Sequence, residues 1–223
     1  MTYTTMNELL IADDHPLFRE ALRGLVTKLY PSVTIYEANT ISSLYALVED
    51  RPNADLLLVD LTMPGAAGYS ALVHLRAQHP LLPIVIISAH EDPVLMRRAI
   101  DHGAMGFIPK SADSQTLSVA LQQILLGDTW LPEEALALPP ISPDEKKAAQ
   151  LLSELTPQQF RVLQMVSTGQ LNKQIAHELG VSEATIKTHM TAILRKLGVN
   201  NRTQAVLIAN QLLLQNQTDT GQF

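Results

Sequence analysis

Leu56-Leu57-Leu58-Val59-Asp60-Leu61-Thr62-Met63-Pro64 is the stretch of this 223-residue chain on which the reading of the fold turns. Four apolar residues in a row, with no polar alternation, suit a strand buried on both faces of a parallel sheet. A carboxylate follows at once. Ile84-Val85-Ile86-Ile87 repeats the pattern and ends on Ser88. Working outward, residues 9–12, 34–38 and 106–109 read as further strands beside 56–60 and 84–88. Amphipathic stretches at 16–29, 41–49, 69–78, 93–102 and 114–126 alternate with them. Asn39 or Thr40, Ser70, and Asp113 or Ser114 are expected caps, and Pro16 and Pro93 suit first helical turns. Five such βα units predict a parallel sheet with helices on both faces.

The pattern changes after Gly127. Leu131-Pro132, Pro139-Pro140 and Ser142-Pro143, followed by Asp144-Glu145-Lys146-Lys147, read as a semi-stiff linker. From Leu155 onward no strand pattern occurs. Helices are expected at 157–168, 172–179, 183–197 and 202–214, with stops at Gly169, Gly180 and Gly198. The division is therefore a first domain over 6–127, a linker over 128–152 and an all-helical domain over 153–215. The tail 216–223 is expected to fray.

Composition agrees with a folded chain: 46% hydrophobic and 17% charged residues. There is no cysteine, hence no disulfide framework or thiolate metal site. No apolar run approaches the roughly 18 residues of a membrane span. The N-terminus lacks a basic-then-apolar export signature, so the expected location is the cytoplasm, with no membrane partner. The net charge of −6 is unevenly spread. Residues 1–152 hold 10 Lys and Arg against 18 Asp and Glu, a net of −8, whereas 153–214 hold 6 against 3, a net of +3. An acidic first part and a mildly basic second part imply different partners.

The polar residues of the first domain fall at strand ends. Asp13 and Asp14 follow the first strand, Asp60 the third, Ser88 the fourth and Lys110 the fifth. In an open parallel sheet, ligands bind beyond the carboxyl ends of the strands, where strand order reverses. All five residues thus converge on one edge. Three carboxylates together repel one another unless a cation sits among them. An oxygen-only donor set suits a hard divalent ion, and Mg²⁺ suits it well because it keeps several waters and bridges to phosphate.

Ile11-Ala12-Asp13-Asp14-His15-Pro16, Val59-Asp60-Leu61-Thr62-Met63-Pro64-Gly65, Ser88-Ala89 and Phe107-Ile108-Pro109-Lys110 resemble the signature of response-regulator receiver domains. The resemblance covers roughly residues 8–127. It implies a flavodoxin-like, doubly wound, five-stranded parallel sheet. It also implies that Asp60 is the phosphoryl acceptor and that Asp13, Asp14, Asp60 and the Thr62 carbonyl hold Mg²⁺. Ser88 would bond the phosphoryl group and Lys110 would pair with it. Ser88 and Phe107 match the switch pair of the family, and Thr62 and His90 its positions flanking the attacking water.

In the second half, Gly169 to Ala176, Val181 to His189 and Leu194 to Val199 resemble a LuxR/FixJ-type helix-turn-helix. Together the halves resemble NarL/FixJ-type response regulators. Ile175, Ala176 and Leu179 are expected to face a core, and Ile186, Ile193, Leu194 and Leu197 to form the buried stripe of the next helix. A recognition helix contacts base edges near its N-terminal half while neighbouring groups hold phosphates. The resemblance makes Lys187, Thr188 and Thr191 candidate base readers, although relatives carry Lys or Arg where Thr191 stands. Asn172, Lys173, Thr185, Arg195 and Lys196 are candidate backbone contacts. A sensor histidine kinase, double-stranded DNA half-sites and a second copy of the chain, joined on phosphorylation, are the implied partners. A phosphatase of the haloacid type shares the aspartyl nucleophile and Mg²⁺. It carries a second Asp two residues later, where this chain has Thr62, so a non-enzyme is expected.

Overall fold

The structure, a computed structural model, describes residues 5–63 and 68–212. Pro64 and Gly65 of the third-strand motif, Leu213 and Leu214 of the expected last helix, and the tail 216–223 lie outside the described residues. Strands β1 (Glu8–Ala12), β2 (Thr34–Ala38), β3 (Leu56–Val59), β4 (Ile84–Ser88) and β5 (Gly106–Pro109) form one parallel sheet, ordered β2-β1-β3-β4-β5. They alternate with α1 (Pro16–Leu29), α2 (Ile41–Asp50), α3 (Ser70–Gln78), α4 (Pro93–Asp101) and α5 (Ser114–Leu125). This is the flavodoxin-like, doubly wound architecture.

The apolar runs lack alternation because each strand is covered twice. Leu10, Leu57, Val59, Ile84 and Ile86 face one side, with α2, α3 and α4. Leu9, Ile11, Leu56, Leu58, Val85 and Ile87 face the other, with α1 and α5. Thr40 caps α2 by accepting from the Ser43 N–H, Asp92 caps α4, and Asp113 caps α5. Ser70 does not cap: it is the first residue of α3, and the cap position belongs to Tyr69, without a side-chain bond.

Residues 128–152, read from sequence as a linker, are substantially helical. They contain α6 (Glu133–Leu136) and most of α7 (Pro143–Ser153). The physical reason lies in the same residues that suggested a break. Ser142 accepts from the Glu145 N–H at 3.2 Å, Pro143 opens the first turn, and Asp144 and Glu145 complement the positive end of the helix. Ala148 and Leu152 of α7 are buried, and the helix packs on α3.

Helices α8 (Pro157–Ser167), α9 (Asn172–Leu179), α10 (Glu183–Leu197) and α11 (Arg202–Asn210) follow among the described residues. Gly180 and Gly198 close α9 and α10 at φ of +66° and +68°, a region that costs other residues about 1–2 kcal/mol. Ile175, Ala176, Ile186, Ile193 and Leu197 are buried as expected, Leu194 and Leu179 half so, and Met190 joins them. This core is continuous with the α2–α3–α4 side of the receiver sheet. Phe160 of α8 stacks face to face on His74 of α3, with ring centroids 4.2 Å apart, and meets Tyr45 of α2 edge-on.

Candidate functional site

Sheet order reverses where β1 lies between β2 and β3, so the ends of β1 and β3 flank the crevice in which such folds bind ligands. Register makes this concrete: Ala12 pairs with Val59, and the Asp60 N–H donates to the Ala12 carbonyl at 2.8 Å. Asp13 and Asp60 are thereby neighbours, 2% and 1% exposed. One oxygen from each of Asp13, Asp14, His15 and Asp60, or a ring nitrogen for His15, lies within 4.8 Å of all the others.

Lys110, just beyond β5, reaches this cluster. Its Nζ lies 2.6 Å from Asp13 Oδ2 and 2.9 Å from Asp60 Oδ2, and 4.6 Å from the Phe18 ring centre. Burial alone would lower the ammonium pKa. The hydrogen bonds and charges of Asp13 and Asp60 outweigh it and raise the pKa, so the lysine is held charged. Thr62 donates its N–H to Asp60 Oδ1 at 2.9 Å and its hydroxyl to both carboxylate oxygens at 2.7 Å. Ser88 sits at the end of β4, buried, accepting from the His90 N–H at 3.2 Å. Lys110 is tied back to that strand by its own N–H, which donates to the Ser88 carbonyl at 2.8 Å. Phe107 is buried on β5.

Some members of the site were not assigned from sequence. His15 lies 2.9 Å from Asp14 and 3.2 Å from Asp13. Arg19 donates to the Asp13 carbonyl at 2.6 Å and pairs with Glu37 at 3.3 Å. The one-turn spacing of Pro16 and Arg19 after the Asp-Asp pair was the available signal.

In the helical domain, Lys173, Lys187, Thr188, Thr191 and Arg195 are exposed, and Thr185 is half-buried beside Ser182. Thr188 and Thr191 turn their hydroxyls back to the carbonyls of Ala184 and Lys187, at 3.1 and 3.0 Å. Lys187 pairs with Glu183 at 3.1 Å. Two other expected contact residues are engaged within the protein. Lys196 donates to the Glu154 carbonyl at 2.9 Å, and Asn172 accepts from Arg202 at 3.3 Å. Arg202, also not singled out from sequence, donates to the Gln170 and Val166 carbonyls as well.

Two buried carboxylates and a third at their rim, with a lysine, at the switch point of a doubly wound sheet joined to a helix-turn-helix, define a receiver-controlled regulator as the class of protein. Comparison with known proteins agrees. Residues 9–122 match the model of the response regulator receiver domain, and residues 153–209 that of the bacterial regulatory proteins of the luxR family. The glycerol metabolism activator of Pseudomonas putida is 40% identical over 213 residues, covering 93% of this chain and 96% of that protein. The nitrate/nitrite response regulator NarL of Escherichia coli K12 is 32% identical over 211 residues, covering 91% and 94%. A solved structure of the RcsB response regulator of Salmonella typhimurium shares the fold, with a TM-score of 0.54 at 24% identity over 91% of this chain and 97% of that one. The chain belongs to the NarL/FixJ-type response regulators, with a receiver domain and a LuxR-type DNA-binding domain.

Proposed function

We propose that a partner histidine kinase phosphorylates Asp60 in a Mg²⁺-dependent reaction, and that this controls sequence-specific DNA binding and transcription by a homodimer in the cytoplasm. The observation that carries the reading is Asp60 itself: a buried carboxylate touching Lys110, with two further carboxylates in reach. Three carboxylates face one lysine, so the donor set leaves negative charge for a divalent cation to balance. Asp13, Asp14, Asp60 and the Thr62 carbonyl would hold Mg²⁺, which would supply charge neutralisation for phosphoryl transfer.

In the transfer, an Asp60 oxygen attacks phosphorus, forming an O–P bond as the P–N bond to the kinase imidazole breaks. Lys110 holds the charge on the transferred group, and the Ser88 hydroxyl, freed from His90, donates to it. Ser88 and Phe107 lie on the paired strands β4 and β5, so a shift of Ser88 toward the phosphoryl group would be passed to the β4–β5 edge. A phosphatase-type carboxylate site is less well supported: no second Asp stands at position 62, and Thr62 instead donates to Asp60.

For DNA, Lys187 is a candidate donor to guanine, since its exposed pair with Glu183 is worth little and is readily given up. Thr188 and Thr191 have their hydroxyls occupied, which favours methyl contacts with thymine. Lys173 and Arg195 suit phosphate contacts. Structures of RcsB bound to DNA and of RcsB dimers on DNA provide the precedent in a related fold. The test is labelling by acetyl phosphate with Mg²⁺. Wild-type protein is expected to label stably and Asp60→Asn not at all. Equal labelling of both would remove Asp60 from the acceptor role.

A further inference from the structure

Helix α7, which packs on α3, also reaches α4 through one carboxylate. Glu145 Oε1 lies 2.8 Å from both Nε and Nη2 of Arg98 and 2.6 Å from His102 Nε2. These side chains are 13%, 14% and 1% exposed. A carboxylate accepts only, so His102 presents Nε2–H, while its Nδ1 is buried with no hydrogen-bond partner. Burial pulls the His102 pKa down in spite of Glu145. The cluster sets one carboxylate oxygen against the Arg98 guanidinium and an imidazole N–H. The groups around it are Asp101, paired with Arg97 and accepting from the Ile141 N–H at 3.0 Å, and the Tyr69 ring, 5.1 Å from both His102 and Arg98.

The same corner fastens the far end of the chain. Arg98 Nη2 donates to the Gln211 carbonyl at 3.3 Å, and the Tyr69 N–H donates to the Leu212 carbonyl at 2.8 Å. At its other end the connecting segment is pinned to β5. The Trp130 N–H donates to the Met105 carbonyl at 3.0 Å and the Phe107 N–H to the Trp130 carbonyl at 3.1 Å. The segment 130–145 thus forms a strap from the β5 switch residue to α4.

We propose that Glu145 is an autoinhibitory latch: it keeps the helix-turn-helix domain docked on the α3–α4 face, with the end of α11 held, until α4 moves and takes Arg98 and His102 away. The identity of the trigger rests on the phosphorylation reading; the latch is built into the unmodified chain. Hydrogen bonds weaken steeply with a shift of about an ångström, and three donors on one acceptor atom are lost together. The exposed side chains of α10 show that docking does not cover the reading face. It restrains the domain instead, placing it against an acidic receiver and preventing two domains from adopting the symmetry of a paired site.

The test uses full-length protein carrying Asp60→Asn, so that its outcome is independent of phosphorylation. Glu145→Ala, the size-conserving Glu145→Gln, and Asp144→Ala as an exposed same-charge control are compared by small-angle X-ray scattering and by gel-shift on a paired site. Glu145→Ala is expected to enlarge the radius of gyration and raise paired-site affinity roughly tenfold or more, the scale of one lost charge-assisted interaction. Glu145→Gln is expected to do so less, and Asp144→Ala not at all. A compact Glu145→Ala protein, or one that opens without gaining affinity, would overturn the latch.

Discussion

Asp60, Lys110 and Thr62 show how much chemistry three side chains can fix. Lys110 is held charged between two carboxylates, and Thr62 orients the one that would react. Asp60 and Lys110 were legible in the sequence because a parallel sheet sends strand-end residues to one edge, whereas the bonds from Thr62 to Asp60 were not. The DNA-contact positions were less legible. Lys196 is expected from sequence to touch the DNA backbone, yet it turns inward to the Glu154 carbonyl, an arrangement set by the tertiary path of α7 into α8. Lys187→Ala is expected to cost roughly 1–3 kcal/mol of discrimination at one base position if its contact is bidentate. Lys173→Ala is expected to weaken all sequences alike and flatten the salt dependence. Competition gel-shifts at several salt concentrations separate the two, and a uniform loss in Lys187→Ala would count against base reading.

At the scale of elements, each strand and helix of the receiver was readable from its periodicity, with caps agreeing at α2, α4 and α5 but not at α3. The helices inside 128–152 were not legible for a local reason. Ser-Pro-Asp-Glu is both loop chemistry and a helix start, and only the burial of Ala148 and Leu152 decides between them. Gly106 marks how closely the strap approaches. A Cβ there would lie 2.7 Å from Ile124 Cδ1 and 3.3 Å from the Trp130 carbonyl oxygen. Gly106→Ala is expected to destabilise by about 1–3 kcal/mol, the usual range for overpacking. It should also loosen the Trp130 bridge. Limited proteolysis is expected to cut this variant faster near the exposed residues Ala137, Pro139 and Pro140. An unchanged cleavage rate would mean that the bridge does not hold the strap.

Over the whole molecule, the two domains share a core that no sequence pattern announced. Tyr45 on α2, His74 on α3 and Phe160 on α8 bring rings from both domains together. Their meeting depends on the docking of α8 against α2 and α3. Burial pushes the His74 pKa down to about 4, with His79 adding in the same direction. An undocked His74 would return toward its usual value near 6.5, binding protons more readily. Docking is therefore fully supported above about pH 6.5 and loses up to about 3 kcal/mol as the pH falls toward 4. Scattering across this range is expected to show opening in the wild type and a flatter profile in His74→Phe. Identical profiles would remove His74 from the effect.

Phosphorylation of Asp60, as proposed, governs paired DNA binding. Gel-shift titration of full-length wild type and Asp60→Asn on paired and single half-sites, with and without phosphodonor and Mg²⁺, checks this. The phosphodonor is predicted to tighten wild-type binding to the paired site well beyond its effect on the half-site, and to do nothing for Asp60→Asn. A wild type that ignores the phosphodonor, or an Asp60→Asn protein that responds equally, would contradict it.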